Sequence, residues 1–426
     1  MKIEALLQQL SESDISLAVE NDELVILGKK QALAPSLLAE LRDTKPALIE
    51  FLRSNGPIVS NKPVADSLDS SQLLNLAPEY VDQITATVPG GAANVQDIYP
   101  LAPLQEGILF HHLMESEGDA YLLPSLMAFD TRERLDGFLA ALQAVIARHD
   151  ILRTSIAWEG LPEPVQVVWR EAKLAIEDVV IDPETGEAAA QLRAHFDPRH
   201  YRIDVRQAPL ISGFTAYDTR EGRWLLLLLT HHLAIDHTTI DILMEEILMH
   251  QLGLENQLPA PLPFRNFVAQ ARLGMKPEEH ETFFRKILAD VDEPTAPFGL
   301  LDVLSDGSRV QEARLAVAAD LARRVREQAR TLGTSAASLF HLAWAAVLSK
   351  TSGRDDVVFG TVLFGRMQGG EGAGRVLGMF INTLPLRVQL AQGSVLEQVR
   401  EVQVRLADLL RHEHAPLSLA QRCSAV

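Results

Sequence analysis

The chain has 426 residues, 47% hydrophobic and 23% charged, which is the composition of an ordinary globular protein with room for two or three domains. A formal net charge of −18 speaks against nucleic acid as a partner, because binding phosphate takes a basic surface. The single cysteine, Cys423, excludes an internal disulfide and a cysteine-built metal site, and suits a reducing, cytoplasmic compartment.

The N-terminal stretch MKIEALLQQLSESD carries acids and lacks an apolar signal core, so no secretion signal is expected. Ile3, Leu6, Leu7 and Leu10 stand at helical spacing. Two apolar runs, Ile15 to Val19 and Leu24 to Gly28, flank a polar Asn21-Asp22-Glu23 turn and predict a β-hairpin. Leu37, Leu38 and Leu41 follow Pro35 as a helical stripe, and Leu48, Ile49, Phe51 and Leu52 follow Pro46 as another. Helix, hairpin, helix, helix within residues 1–53 makes a unit near the lower size limit for a stable core. Residues 54–72 are rich in Ser, Asn, Pro and Asp and predict a linker, with a larger domain over 73–426.

In the larger domain Leu135, Phe138, Leu139, Leu142, Val145 and Ile146 predict a helix between Asp130 and Asp150. Strands are predicted at Leu152 to Trp158, Val165 to Trp169, Ile176 to Ile181 and Trp224 to Thr230. The run Leu225 to Leu229 is far too short to span a bilayer and reads as a buried strand, so no membrane is expected as a partner. Ile240, Leu243, Met244, Ile247 and Leu248 mark the next helix. A Pro-rich stretch, Leu258 to Phe264, joins a first lobe of about 73–262 to a second of about 263–426. Helices at 278–290, 319–331, 335–350 and 394–412 and strands near 357–363 and 379–390 complete the pattern. The interleaving predicts an α/β (α+β) fold.

The strongest local signal is His231-His232-Leu233-Ala234-Ile235-Asp236-His237, set between a buried strand and a helix. A neutral imidazole held there in one orientation can accept a proton near neutral pH. Neighbours on an extended segment point opposite ways, so only one of the pair faces a cleft squarely and His231 is the structural member. Asp236 either caps the following helix or pairs with an arginine, and the two readings stand about even. An adjacent His-His with a third His five residues on is not a usual ligand spacing, so no metal site is predicted.

HHLAIDH resembles the HHxxxDG signature of condensation domains in non-ribosomal peptide synthetases, with His237 in place of the final glycine. That glycine suits a tight turn, so a different local backbone is expected here. Tyr99-Pro-Leu-Ala-Pro-Leu-Gln105-Glu-Gly107 is similar to the first condensation motif, and Arg148-His149-Asp150-Ile-Leu-Arg153-Thr154 to RHxxLRT. Phe359-Gly360 through Gly365-Arg366 resembles the Gly-Arg motif, and Gly378-Met-Phe380-Ile-Asn382-Thr383 resembles GxFxNT. Five motifs in family order make the resemblance specific, and it covers residues from about 73 to 426. A further stretch, His111-His112-Leu113-Met-Glu-Ser-Glu-Gly118-Asp119, fits HH[IL]xxxxGD, the extra motif of dual epimerisation/condensation domains; by itself it reads as a surface loop after an amphipathic helix. Residues 1–53 look like the small αββαα docking domains named after the tubulysin system.

The resemblance implies a two-lobed fold like chloramphenicol acetyltransferase with a tunnel between the lobes. It implies His232 as the base, assisted by His231, with Asp236 mainly structural. It implies epimerisation of the donor residue involving His111, His112, Gly118 and Asp119, then peptide-bond formation. Arg148 or Arg153 is expected to close a structural ion pair with Asp236 or another acid; the plain alternative is a solvated helix end. No cofactor is expected on this chain: upstream and downstream peptidyl carrier proteins deliver phosphopantetheine arms. The docking unit is expected to take the C-terminal tail of an upstream subunit as an added strand. The family continues past the His412-Glu-His414-Ala-Pro416 stretch, which implies a second lobe cut short at Val426. Three alternatives stay open: a plain condensation domain, an inactive interaction module, and an HxxxD acyltransferase using free coenzyme A thioesters.

Overall fold

The computed structural model describes residues 76–301, 313–366, 373–390 and 393–426, together with Leu73 and the backbone of two strands near the N-terminus. Those strands, β1 (Ile15–Glu20) and β2 (Glu23–Gly28), pair antiparallel with Ile15 opposite Gly28, which is the predicted hairpin. The three helices expected around it, and the linker, lie outside the described residues.

The first lobe opens with α1 (Pro78–Thr87), β3 (Val95–Pro100), α2 (Pro103–Met114), β4 (Leu122–Phe129) and α3 (Arg132–Arg148). It continues with β5 (Thr154–Ala157), β6 (Val165–Trp169), β7 (Ala175–Asp178), α4 (Ala188–His195), β8 (Ile211–Asp218), β9 (Arg223–His231) and α5 (His237–Gln251). Strands β4, β9, β8 and β7 form one sheet in that order; only the β7–β8 pair is parallel. A second sheet runs β3–β6–β5. Five consecutive leucines, Leu225 to Leu229, make β9 a central strand with both faces buried, which an alternating pattern could not do. Each such leucine contributes about 1.5–3 kcal/mol.

Helix α6 (Phe264–Leu273) buries Phe264, Phe267 and Val268 in the first lobe's core, so the second lobe begins after it and not near 263. It holds α7 (Pro277–Leu288), α8 (Ala319–Leu332), α9 (Ala336–Ser352), the antiparallel pair β10 (Asp356–Leu363) and β11 (Asn382–Gln389), α10 (Val395–Arg411) and α11 (Leu417–Arg422). It has its own core around Phe284, Leu342, Leu384 and Val402. The strand expected from 379 begins at Asn382, because Val376, Leu377, Met379 and Phe380 instead cross into the first lobe's core. This crossing brings Val376 and Phe380 up to Arg366 and Asp236. Gly378 sits at φ 150°, where a Cβ would fall 2.2 Å from the Phe264 ring, so glycine alone fits.

Two more expectations shift. The strand predicted to Ile181 ends at Asp178 and is an exposed edge. Met244 and Leu248, placed on the buried stripe of α5, are 43% and 53% exposed. No single helix among the described residues is long and apolar enough to cross a membrane.

Candidate active site

Sheet register assembles the site. In the β4–β9 pair Leu122 lies opposite His231, so the loop before β4 is delivered to the end of β9. The His232 N–H donates to the Tyr121 carbonyl at 3.0 Å and continues that pairing by one residue. Asp119, three residues before β4, therefore stands beside His231 although 112 positions separate them.

Asp119 is buried and takes three donors. His112 Nδ1 and His231 Nε2 reach its Oδ2 at 2.7 and 3.0 Å, and the Tyr121 N–H reaches its Oδ1 at 2.9 Å. Burial alone would raise its pKa; the bonds from the two imidazoles outweigh this and hold the carboxyl well below the usual carboxylate range. The Leu233 N–H donates to His231 Nδ1 at 3.0 Å, so the ring proton of His231 sits on Nε2 and points at Asp119. Burial pushes the pKa of His231 down, which keeps it neutral. His112, Asp119 and His231 stand close enough to suit a metal ion. The His231 tautomer argues against one: a metal on Nε2 would force a proton onto Nδ1, against the Leu233 N–H.

His232 is half-buried, neither sealed in the core nor free in solvent. Its Nδ1–H donates to the Ile235 carbonyl at 2.9 Å, which leaves Nε2 as the acceptor. Burial lowers its pKa, against smaller opposing contributions from the Ile235 bond and Asp236. The ring thus stays unprotonated to lower pH than a free imidazole, which suits a base.

Asp236 fills both roles left open for it. Its Oδ1 accepts the Thr239 N–H at 2.8 Å as the N-cap of α5, and both its oxygens lie 3.1 Å from Arg366 Nη2. The Phe380 N–H adds a third donor at 3.2 Å. Arg366 also donates to the Val376 carbonyl at 2.6 Å and lies over the Phe380 ring, 3.8 Å from its centroid. The ion pair of Asp236 is therefore with Arg366, a residue of the Gly-Arg motif to which the sequence assigned no role.

Of the two arginines, Arg148 closes the expected structural ion pair, with an acid other than Asp236. Arg148 Nε lies 3.2 Å from Glu246, which also receives His149 Nε2 at 2.8 Å. Arg153 does not reach Asp236; it donates to the carbonyls of Ala147 and Trp169 and to Gln96 Oε1. Asp150 accepts the Phe264 N–H at 3.0 Å. RHxxLRT is thus a bracket tying α3 to α5 and to the start of α6.

The HH[IL]xxxxGD residues split. His111 is exposed, whereas His112 is buried on the last turn of α2, so the pair ends a helix rather than lying in a loop. Gly118 has φ +71°, and a Cβ there would fall 2.3 Å from the Arg199 carbonyl oxygen. Arg202, singled out by no motif, donates to the carbonyls of Glu115 and Gly118 at 2.7 and 2.8 Å and to that of His112. In the sequence it is one of three arginines within residues 199–206, and nothing there marks it out from Arg199 and Arg206.

His237 is exposed and is the first residue of α5. Among the described non-glycine residues only Phe298 has positive φ. The altered turn expected at His237 is therefore absent, because a helical N-terminal position accepts any L-residue.

Two family models match the chain. The condensation-domain family matches residues 95–425, and the TubC N-terminal docking domain family matches residues 3–54. Malpibaldin synthetase of Mortierella alpina is 53% identical over 84% of this chain, and Malpinin synthetase of the same organism is 48% identical over 90%. The chain spans only 6% and 5% of the lengths of those two proteins. Among solved structures, the EpoB NRPS cyclization-docking bidomain from Sorangium cellulosum superposes with TM-score 0.64 at 19% identity, over 99% of this chain and 80% of that one, which shows the fold.

Proposed function

The chain belongs to the condensation-domain family of non-ribosomal peptide synthetases, preceded by a TubC-type docking domain, and from that premise we propose that it joins two carrier-tethered thioesters after inverting the donor residue. In the condensation step the acceptor amine attacks the donor thioester carbonyl. A C–N bond forms, the C–S bond breaks, and the amine proton passes by way of His232 Nε2 to the departing thiolate. Holding two tethered reactants together supplies much of the acceleration, with effective molarities on the order of 10⁵–10⁸ M for well-oriented pairs. In the preceding step His232 takes the donor Cα proton, and a proton returns on the other face.

The observation that carries the epimerising part is the cluster of His112, Asp119 and His231, which joins the second histidine motif to the first, one residue from His232. One observation favours a plain condensation domain instead. Asp119 is sealed, with its carboxylate committed to three donors, as a brace for the turn would be.

We carry the division into a docking unit over 1–53, a linker over 54–72 and a condensation unit over 73–426 as part of this reading. Residues 1–53 then take the tail of an upstream subunit, and carrier proteins bring the phosphopantetheine arms. The compartment that fits is the cytoplasm.

The test is a carrier-loaded assay in deuterated buffer with an L-aminoacyl donor. Amide carrying deuterium and inverted configuration at the donor Cα is expected, and His232→Ala should lose about 10²–10⁴-fold in rate. Unlabelled amide removes the epimerisation and leaves plain condensation. No amide, with tail binding by residues 1–53 intact, reduces the chain to an interaction module.

A further inference from the structure

We propose that Gln105 is the positioning residue that sets the tautomer and aim of His232. This rests on His232 being the base, and it concerns a side chain of the first condensation motif with no assigned role.

Gln105 lies in the first turn of α2 and is fully buried. Its Oε1 accepts the Ala102 N–H at 2.8 Å. Its Nε2 donates to the Leu233 carbonyl at 2.6 Å and to Gln166 Oε1 at 3.0 Å. Gln166, also fully buried, passes the chain on to the Pro100 carbonyl at 3.1 Å. The amide of Gln105 has one possible orientation. Flipped, it would set NH2 against the Ala102 N–H and oxygen against the Leu233 carbonyl.

Leu233 is the residue after His232. Its peptide plane is shared with Ala234, whose N–H donates to the His231 carbonyl at 3.0 Å and closes the turn. The Ile235 carbonyl that receives His232 Nδ1–H comes two residues after that of Leu233. Holding the Leu233 oxygen fixes the peptide plane from which the turn runs on, through Ala234, to the Ile235 oxygen at the Nδ1 edge of the imidazole. Asp119 anchors this turn from the side of His231, and Gln105 anchors it from the side of Leu233. Glutamate could keep the Ala102 bond but has no donor for Leu233, and leucine keeps neither.

The test is nitrogen NMR on ¹⁵N-histidine-labelled protein, with the His232 resonances assigned by their loss in His232→Gln. Wild type should show protonated Nδ1 and bare Nε2 near neutral pH. Gln105→Leu and Gln105→Glu should each mix the two tautomers and lower kcat at least tenfold, with KM changed less than threefold. Gln166→Leu breaks the same Gln–Gln bond but keeps the Leu233 contact. It should lose comparable thermal stability while retaining the wild-type His232 spectrum. A folded Gln105→Glu or Gln105→Leu protein with unmixed His232 tautomers and undiminished kcat overturns the proposal. A wild-type ring protonated on Nε2 instead overturns the assignment of His232 as base.

Discussion

Two histidine-rich turns, one in each lobe, use the same residue type in opposite ways. Around the turn 231–236 both buried carboxylates have committed partners: Asp119 takes His231 and His112, and Asp236 takes Arg366. In the stretch 412–414 imidazole meets imidazole. His412 Nδ1 lies 3.0 Å from His280 Nδ1, Phe283 stacks on His412 at 4.0 Å, and His414 Nε2 is 3.8 Å from the buried Glu413. A carboxylate between two rings fixes their tautomers and stays ionised. Two rings facing each other can share only one proton in the bond between them, and both are pushed toward the neutral form. The first arrangement builds a site with one orientation; the second fills a core.

The largest effect expected from this contrast follows Asp119→Asn. One face of an amide can accept from His112 and His231 while the other then sets NH2 against the Tyr121 N–H; reversed, the mismatch moves to the rings. Either way a buried bond is replaced by a clash, costing about 1–3 kcal/mol for each unsatisfied group. Condensation should fall at least about tenfold, an effect of roughly 1.4 kcal/mol on the barrier. Denaturant titration and carrier-loaded turnover check the two parts. Unchanged stability and rate would make the cluster a bystander.

How much of this was legible beforehand follows from what sets each feature. Strands β6 and β9 and helices α3, α7 and α9 declare themselves through apolar period and β-branched or leucine runs. Strand β4 stayed hidden, because Pro124 and Ser125 interrupt its pattern and its pairing with β9 supplies the stability. Likewise α4, with three alanines in its first turn, carries too short a stripe. At the site, motif spacing picks out His231, His232 and Asp236, since all lie in one turn. The partners do not follow from spacing: Arg366 is 130 residues from Asp236 and Asp119 is 112 from His231, distances that only sheet register and the 376–380 crossing close. Of the two motif arginines, Arg148 makes its ion pair with Glu246, an acid on α5 that no motif marks, and Arg153 turns to backbone carbonyls.

A smaller and more graded effect should come from acid. Burial first, then the neighbouring charge of His280, pushes His412 and His414 down to about 4, from an ordinary value near 6.5. His280 is lowered by burial as well. These imidazoles bind protons more readily unfolded than folded. Their contribution is complete above about pH 6.5 and is lost as pH falls through about 4. Each titrating ring adds a slope of up to about 1.4 kcal/mol per pH unit, discounted for the partly exposed His412 by solvent screening. Hydrogen exchange followed by segment should show α7 and α10 losing protection before β4 and β9 as pH drops from 6.5 to 4. His414→Leu should remove its share of that slope, with stability at pH 7 changed by about 1 kcal/mol or less. Simultaneous loss in both lobes would erase the contrast, since burial has lowered His231 and His232 too.

The smallest effect is expected where the sequence departs most visibly from its family signature. His237→Gly restores the motif glycine at an exposed position that begins α5 with ordinary helical backbone. No left-handed conformation is relieved there, and the bonds that hold the turn, to Asp119, Gln105 and Arg366, involve neighbours of 237 and not its side chain. Glycine is about 0.3–0.5 kcal/mol poorer than histidine within a helix, and less at its first residue. Stability should therefore change by about 0.5 kcal/mol or less, and kcat/KM by less than about twofold, a barrier change under roughly 0.4 kcal/mol. A tenfold gain on His237→Gly would locate the imidazole in the path of a tethered substrate. The signature glycine would then serve access to His232 rather than the backbone of the turn.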